Sequence, residues 1–498
     1  MSEIELEKIY AAHETIKSLN FEKMEFIEPR GRNVPEGVAY ELGEGLALKL
    51  KDSNQTHFFI SGDGRISTPW LMQAFANAML DNGINVIYSG YNNTTPMFEV
   101  ERGKLGISGV NITASHNPWQ YNGFKMAIEK AIEDGKTKDK IEAKLEELLK
   151  KGGTIQQKNQ AKIYYLQSTL RKDYIKGLEN KFAEFFRIGN GRGKKEKILF
   201  DALQGPAFPF YYAVARKLNI EFEGFREDID GYFPLTDGGP SPLLKENFEI
   251  LKRSLNNLGQ YSLILITDGD GDRLSAAFSS GLVDFAVLGA VRATYLAEKD
   301  RLNKENKNFV AEYALAKIIS RSLAKKNIKV IPTARSRKSI KAGIDELIEK
   351  GEKVLGGQEI GTHPYNSEGI DDGVEDALLF STLLQTKGKK GLDKMIEEAK
   401  KDIPPHIHEI RVFSKEPNKI RSRLLSGGYV EKFGDVVCAL NETEAVVHSS
   451  NTAKQITLNA YGDNTDSIKN DLNKLLKEID KIENGLGEKM TQQLEIIS

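Results

Sequence analysis

Short apolar, β-branched runs alternate along the chain with longer segments whose apolar residues recur at helical spacing. Residues 2–19 put Ile9, Ala12, Ile16 and Leu19 on one face, which predicts an amphipathic helix. Gly106–Ile112 reads as a strand leading into a polar loop, and Tyr261–Ile266, apolar and β-branched throughout, as a buried strand. Lys136–Lys151 predicts a charged helix with a solvated Lys/Glu face, stopped by Gly152-Gly153. Strand–helix alternation of this kind favours α/β layers with crossover connections. Beyond Pro404-Pro405 the elements become shorter, which predicts a smaller last domain.

Composition narrows the class. A length of 498 residues suits three domains, or four small ones. Seventy basic residues against seventy-one acidic ones leave a net charge of -1, so charge supports neither nucleic-acid nor membrane-surface binding. One cysteine, Cys438, leaves no intramolecular disulfide framework and fits a reducing, cytoplasmic compartment. Met1–Glu7 is acidic and alternating, unlike a signal peptide. No uncharged apolar run approaches the ~20 residues that a bilayer-spanning helix needs. Gly189–Lys195 has the look of a phosphate loop but lacks its first glycine and its final Ser or Thr, and reads as a basic linker.

Two segments carry candidate chemistry. Thr113-Ala114-Ser115-His116-Asn117-Pro118, followed by Tyr121-Asn122-Gly123-Phe124-Lys125, gathers a hydroxyl nucleophile, an imidazole, amides and a lysine in one polar loop. A serine hydroxyl is a weak nucleophile unless its neighbours assist it. The composition alone also suits a capped turn. The second segment is Asp268-Gly269-Asp270-Gly271-Asp272-Arg273, at the end of the buried strand. Carboxylates alternating with glycines let the backbone fold tightly and aim several oxygens at one hard cation. A helix-loop-helix calcium site would need glycine and glutamate where this chain has Arg273 and Ser279.

Together, in this order, the two segments resemble the active-serine loop and metal loop of the α-D-phosphohexomutase superfamily, best known from phosphoglucomutase and phosphomannomutase. Further stretches are similar to that family's landmarks: Ile27–Gly31 with the helical run Val38–Leu50, Phe58–Arg65, Gly90–Pro96, Ile198–Gly205, Asp230–Pro234 and Gly369–Val374. The resemblance implies three related α/β mixed-sheet domains and a smaller C-terminal α+β domain around a central cleft. Their ranges would be 1–185 with the serine loop, 186–292 with the metal loop, 293–405 with the sugar loop, and 406–498 with the distal phosphate loop. It implies a phosphoserine at Ser115, Mg²⁺ held by Asp268, Asp270, Asp272 and the serine, and a hexose 1,6-bisphosphate intermediate and activator. Arg30 and Arg273 would neutralise the reacting phosphate, since Arg forks suit phosphate oxygens. Lys125 is the candidate general acid/base, and His116 orients the loop. The expected partner is a small phosphosugar, with the protein a monomer or homodimer.

Two loops depart from the family pattern. The sugar-reading Gly-Glu-X-Ser-Gly-His stretch corresponds to Gly356–His363. A gapless alignment places Gln358 on the glutamate and Ile360 on the serine, whereas a one-residue slip restores Glu359 and His363. The distal phosphate loop corresponds to His448–Thr457: Ser450, Asn451 and Thr452 keep polar groups, but neither His448 nor Thr457 carries a guanidinium. Either these polar groups still hold the distal phosphate or Arg337 and Lys341, cations in the third domain, hold it from that side; a solvated basic turn is the other reading of the latter pair. Three readings stay open beside a glucose or mannose phosphate mutase. They are a phosphoglucosamine mutase, a non-catalytic phosphosugar-binding or regulatory protein, and a phosphatase-like enzyme that loses its intermediate to water.

Overall fold

A computed structural model describes residues 12, 14–19, 24–130, 135–187, 196–299, 307–450 and 455–497. The chain forms two compact units, residues 1–283 with 370–392 and residues 284–369 with 393–498. Four sheets lie within the described residues, three of mixed direction and one antiparallel.

The first unit holds two of the mixed sheets. In the larger one the strand order is Glu25–Ile27, Tyr121–Ile128, Gly109–Ile112, His57–Gly62, Asn85–Tyr88, Ala161–Tyr165, Thr154–Lys158, with Arg30–Arg32 also paired to Tyr121–Ile128. His57–Gly62 runs parallel to both Asn85–Tyr88 and Gly109–Ile112, but Tyr121–Ile128 returns antiparallel. That reversal makes the serine loop a tight connection, and its register sets Lys125 opposite Asn111. One face is covered by the helices Glu36–Asp52 and Thr68–Asp81, whose Leu42, Leu46, Leu50, Phe75 and Met79 are buried. Phe75 stacks on Phe58 and packs at a tilt against Phe124, with ring centroids 5.7 and 5.9 Å apart. Burial of each such side chain contributes about 1.5–3 kcal/mol.

The second sheet orders Phe222–Phe225, Ile198–Asp201, Leu263–Thr267, Leu274–Phe278 and Gly281–Leu282. Its first three strands are parallel, and the inner two, Ile198–Asp201 and Leu263–Thr267, are buried at every position. Their near-continuous apolar sequence follows from that two-sided burial.

In the second unit, Ile328–Thr333, Lys307–Glu312 and Lys353–Glu359 are parallel, and His363–Tyr365 folds back on the last of these. The C-terminal sheet is antiparallel throughout: His406–Phe413, Gln455–Gly462, Thr443–Ser450, Asp435–Ala439, Val430–Lys432. The helices Pro417–Ser426, Thr465–Ile482 and Leu486–Ile497 share a hydrophobic core with it.

The helix expected over Lys136–Lys151 is present as Gly135–Lys150, and the strand expected over Tyr261–Ile266 as Leu263–Thr267. Of the expected N-terminal helix only residues 12 and 14–19 are described, with Ala12 and Ile16 buried. The linker Gly189–Lys195 lies outside the described residues. No helix among the described residues is long and apolar enough to cross a membrane.

Candidate active site

The strand Gly109–Ile112 delivers Ser115 into a fully buried position with φ 53°. A left-handed backbone at a non-glycine residue is strained and persists only where the surroundings fix it. Thr113 Oγ1 accepts a hydrogen bond from Ser115 N at 2.8 Å. The Ser115 hydroxyl donates to Asp268 Oδ2 at 3.0 Å, across 153 residues of sequence. His116 Nδ1 lies 3.4 Å from the same hydroxyl, at the long limit of a hydrogen bond.

Asp268 follows the strand Leu263–Thr267, and a turn closed by Gly271 N on Asp268 O folds the acidic loop back. Gly271 adopts φ 74°, and a Cβ on Gly269 would sit 2.7 Å from Ser115 O, so the two loops meet backbone to backbone only because glycine is there. Asp268, Asp270 and Asp272 are all fully buried, and one oxygen of each lies within 4.8 Å of the others. Lys125, 3% exposed, donates to Asp270 Oδ2 at 2.7 Å and to Asp272 Oδ2. Thr95 Oγ1 donates to Asp270 Oδ2 at 2.6 Å and accepts from Asn111 Nδ2 at 2.9 Å. Thr113 Oγ1 donates to the same Asp270 oxygen at 3.2 Å.

The electrostatics follow from this packing. Burial, then the charges of Asp272 and Asp270, push the Asp268 carboxyl well above the usual range. Burial and Asp272 act upward on Asp270 too, but Lys125 and the hydrogen bonds from Lys125 and Thr95 hold it below its ordinary value. Asp270 Oδ1 is buried with no hydrogen-bond partner among the described residues. A buried carboxylate oxygen left bare is costly unless something positive meets it. Three converging carboxylates with such an oxygen fit a hard divalent cation.

Arg273 donates its backbone N–H to Asp268 Oδ1 at 3.2 Å, with its Nε 3.7 Å from Asp268 Oδ2. Arg30 pairs with Gly123 on the strand that carries Lys125, and its guanidinium lies 3.4 Å from Glu28. Thus Ser115, His116, Lys125, Asp268, Asp270, Asp272 and Arg273 converge in one unit.

Reasoning from sequence missed Arg65 and Thr95, both beside this centre. Arg65 lies in the Phe58–Arg65 landmark, yet its type and spacing carry no sign that it binds the serine loop. Thr95 opens the helix Thr95–Leu105 behind the Thr94 cap, where Thr-Pro reads as an ordinary helix start.

The remaining candidates belong to the other compact unit. Gln358 is buried and donates from Nε2 to Phe285 O at 2.9 Å. Glu359 is the direct cross-strand partner of His363, so the two share a face. Its Oε2 accepts from Tyr365 Oη at 3.1 Å, and Glu359 and His363 are each half-buried rather than closed off. Ile360 is 3% exposed. Arg337 opens the helix Arg337–Glu349 behind the Ser336 cap, and Lys341, one turn on, donates to Asp345 and to Glu368 O at 3.1 and 3.3 Å. Ser450 ends the strand Thr443–Ser450, and Asn451 and Thr452 lie outside the described residues. His448 and Thr457 are cross-strand partners, and His448 Nδ1 lies 2.6 Å from Asp435 Oδ1.

Comparison with known proteins agrees with this geometry. Residues 29–154 match the family model described as phosphoglucomutase/phosphomannomutase, alpha/beta/alpha domain I, and residues 172–281 match domain II of the same family. A phosphoglucomutase of Neisseria meningitidis is 29% identical over 251 residues, covering 50% of this chain and 51% of that protein. The match therefore spans about half the length of that curated relative. A phosphoglucosamine mutase of Clostridium acetobutylicum is 27% identical over 370 residues, 72% of this chain and 76% of that one. The crystal structure of a phosphoglucomutase/phosphomannomutase family protein from Burkholderia thailandensis shares the fold, with TM-score 0.68, 18% identity and coverage of 94% and 98%.

Proposed function

The chain belongs to the α-D-phosphohexomutase superfamily, and from that premise we propose that it interconverts the 1- and 6-phosphates of glucose or mannose through a phosphoserine at Ser115. The observation that carries this reading is the placement of the buried Ser115 hydroxyl 3.0 Å from Asp268, within a cluster of three carboxylates and Lys125. Phosphoryl transfer asks for positioning and charge compensation more than for elaborate covalent chemistry.

In this reading the bond between Ser115 Oγ and phosphorus breaks as one to a sugar hydroxyl oxygen forms. Lys125 is the candidate general acid/base for the sugar hydroxyl: it accepts that proton only in its neutral form, and as the ammonium paired with Asp270 and Asp272 it is the proton donor of the reverse half-reaction. The resulting hexose 1,6-bisphosphate turns over, its other phosphate passes to Ser115, and the same bisphosphate serves as activator by loading the serine. Arg30 and Arg273 offset charge on the transferring group, and His116 orients the loop. Mg²⁺, held by Asp268, Asp270, Asp272 and an oxygen on the serine, would draw charge from the phosphorus centre. Glu359 and His363, rather than the buried Gln358, are the groups assigned to sugar hydroxyls, because they share a half-buried face. Arg337, Lys341 and the Ser450–Thr452 segment are assigned to the distal phosphate. We place the protein in the cytoplasm, in keeping with its one cysteine, as a monomer or homodimer.

A second reading, glucosamine phosphate as substrate, is favoured by the similarity over 370 residues to a phosphoglucosamine mutase. The test is a panel of glucose, mannose, glucosamine and N-acetylglucosamine 1-phosphates, with phosphopeptide mass spectrometry of Ser115 and an assay for free phosphate. Isomerisation with Ser115 phosphorylated supports the mutase, and the preferred sugar separates the two readings. Phosphate release without isomerisation indicates a phosphatase. An unmodified Ser115 and no turnover after incubation with hexose bisphosphate would leave a non-catalytic binding protein.

A further inference from the structure

Arg65 is 1% exposed, and each of its guanidinium N–H groups meets an acceptor. Nε donates to Asp63 Oδ2 at 3.1 Å. One terminal nitrogen donates to Pro118 O and Tyr121 O, both at 2.9 Å. The other donates to Ser115 O at 2.6 Å and Asn117 O at 2.7 Å. A guanidinium has five N–H donors in a planar fork. All five are used here, four of them on backbone carbonyls of the one loop that carries Ser115.

The guanidinium is itself held from behind. Asp63 Oδ1 accepts from Arg65 N and from Thr68 Oγ1, both at 2.9 Å, so the carboxylate that grips Nε is fixed. The Phe233 ring lies over the guanidinium, 5.1 Å from centroid to Cζ. A second buried pair, Arg226 with Asp201, braces the facing loop: Arg226 donates to Asn247 O at 3.2 Å, and Asn247 Nδ2 to Gly239 O at 2.9 Å. Gly239 packs so closely on the serine loop that a Cβ there would lie 2.7 Å from His116 O.

Burying so many polar groups is stabilising only when every one is satisfied. Strain at Ser115 is likewise tolerable only if the loop is over-determined. We propose that Arg65 is the positioning residue of the serine loop, holding Ser115 at its left-handed backbone angle and in line for phosphoryl transfer by gripping four carbonyls at once. Lysine cannot replace it, having three donors and no planar fork. The inference rests on the proposed role of Ser115 as phosphate carrier, and deepens it.

The test compares wild type with Arg65→Lys and Arg65→Ala. It reads near-ultraviolet circular dichroism for folding, the rate of Ser115 phosphorylation on adding glucose 1,6-bisphosphate, and steady-state kcat and KM. Misplacing a reacting atom by ~1 Å costs roughly 100-fold, so folded Arg65→Lys should lose about that factor in kcat and phosphorylation rate, with KM within about threefold. Methylguanidinium in the buffer should restore Arg65→Ala at least tenfold and leave Arg65→Lys unchanged, because the ammonium fills the space; a gain of that order is an expectation from positioning alone, roughly 1.4 kcal/mol. A folded Arg65→Lys with kcat within about threefold of wild type, or a loss carried by KM, overturns the proposal. If neither Arg65 variant folds, Asp63→Asn decides. It leaves the loop carbonyls gripped but loosens Nε, so kcat should fall by about tenfold at unchanged KM, and an unaltered kcat overturns the proposal. Failure of wild type itself to phosphorylate Ser115 removes the mutase reading and this inference with it, whereas normal wild-type phosphorylation isolates the role of Arg65.

Discussion

The serine and metal loops and the sugar loop use similar side chains in opposite ways. Around Ser115 the carboxylates, the lysine and Arg65 are all buried, and their partners come from distant segments of sequence. In the sugar loop Glu359 and its cross-strand partner His363 are half-buried, and Glu359 is tied to a near neighbour, Tyr365. A buried charge cluster is held in one arrangement because every alternative leaves charges unpaired. Half-exposed groups keep water as an alternative partner, so substitution of Glu359 or His363 costs less than substitution inside the buried cluster.

Five substitutions break or sharpen this contrast. The largest effect belongs to Ser115→Ala, which removes the proposed phosphate carrier. Isomerase activity should fall to the assay floor while circular dichroism stays native, and substantial remaining turnover would discard the serine as nucleophile. Asp270→Asn comes next. Losing one carboxylate charge should weaken Mg²⁺ binding about 10–100-fold in calorimetric titration, and equal affinity would remove the metal assignment.

The sugar loop should respond more mildly and in a divided way. Glu359→Ala should raise KM about tenfold, since a hydrogen bond to a charged group contributes about 1.5–3 kcal/mol. Gln358→Ala should instead lower stability by about 1–3 kcal/mol at unchanged KM, because Phe285 O loses its buried donor. Exchanged outcomes would show that the gapless alignment of this loop is the right one.

The smallest effect is a pH dependence of stability within the buried region. Asp372 caps the helix that begins at Gly373, accepting from Glu375 N at 2.8 Å and from Tyr174 Oη at 2.7 Å. Burial, and then Glu375, push its carboxyl up to about 7. An unfolded aspartate titrates near ~3.9, so between the two values the native state binds a proton that the unfolded chain does not. Stability contributed by this group is therefore complete at low pH and lost as pH rises towards about 7. Asp372→Asn removes the titration, so the melting temperature of the variant relative to wild type should rise from about pH 5 to about pH 8, by a few degrees. A difference independent of pH would mean that Asp372 is ionised across that range.

Much of this was legible in the sequence because it is local. The strand ending at Thr267, the helix Gly135–Lys150 and the glycine-spaced acidic turn depend on periodicity and backbone freedom within a few residues. The types of group in the serine and acidic loops likewise announce their chemistry wherever they lie. Other features depend on which distant residues meet. Gln358 and Glu359 are neighbours of similar size, yet strand alternation sends one to Phe285 O and sets the other opposite His363. Arg65 reads as one more arginine in a turn until the loop after residue 112 folds its carbonyls onto it. The sequence by itself determined which reactive groups the chain carries and how they are spaced locally. The tertiary structure alone decided which residues hold that chemistry in place, because burial and hydrogen-bond saturation belong to contacts between segments and have no local signature.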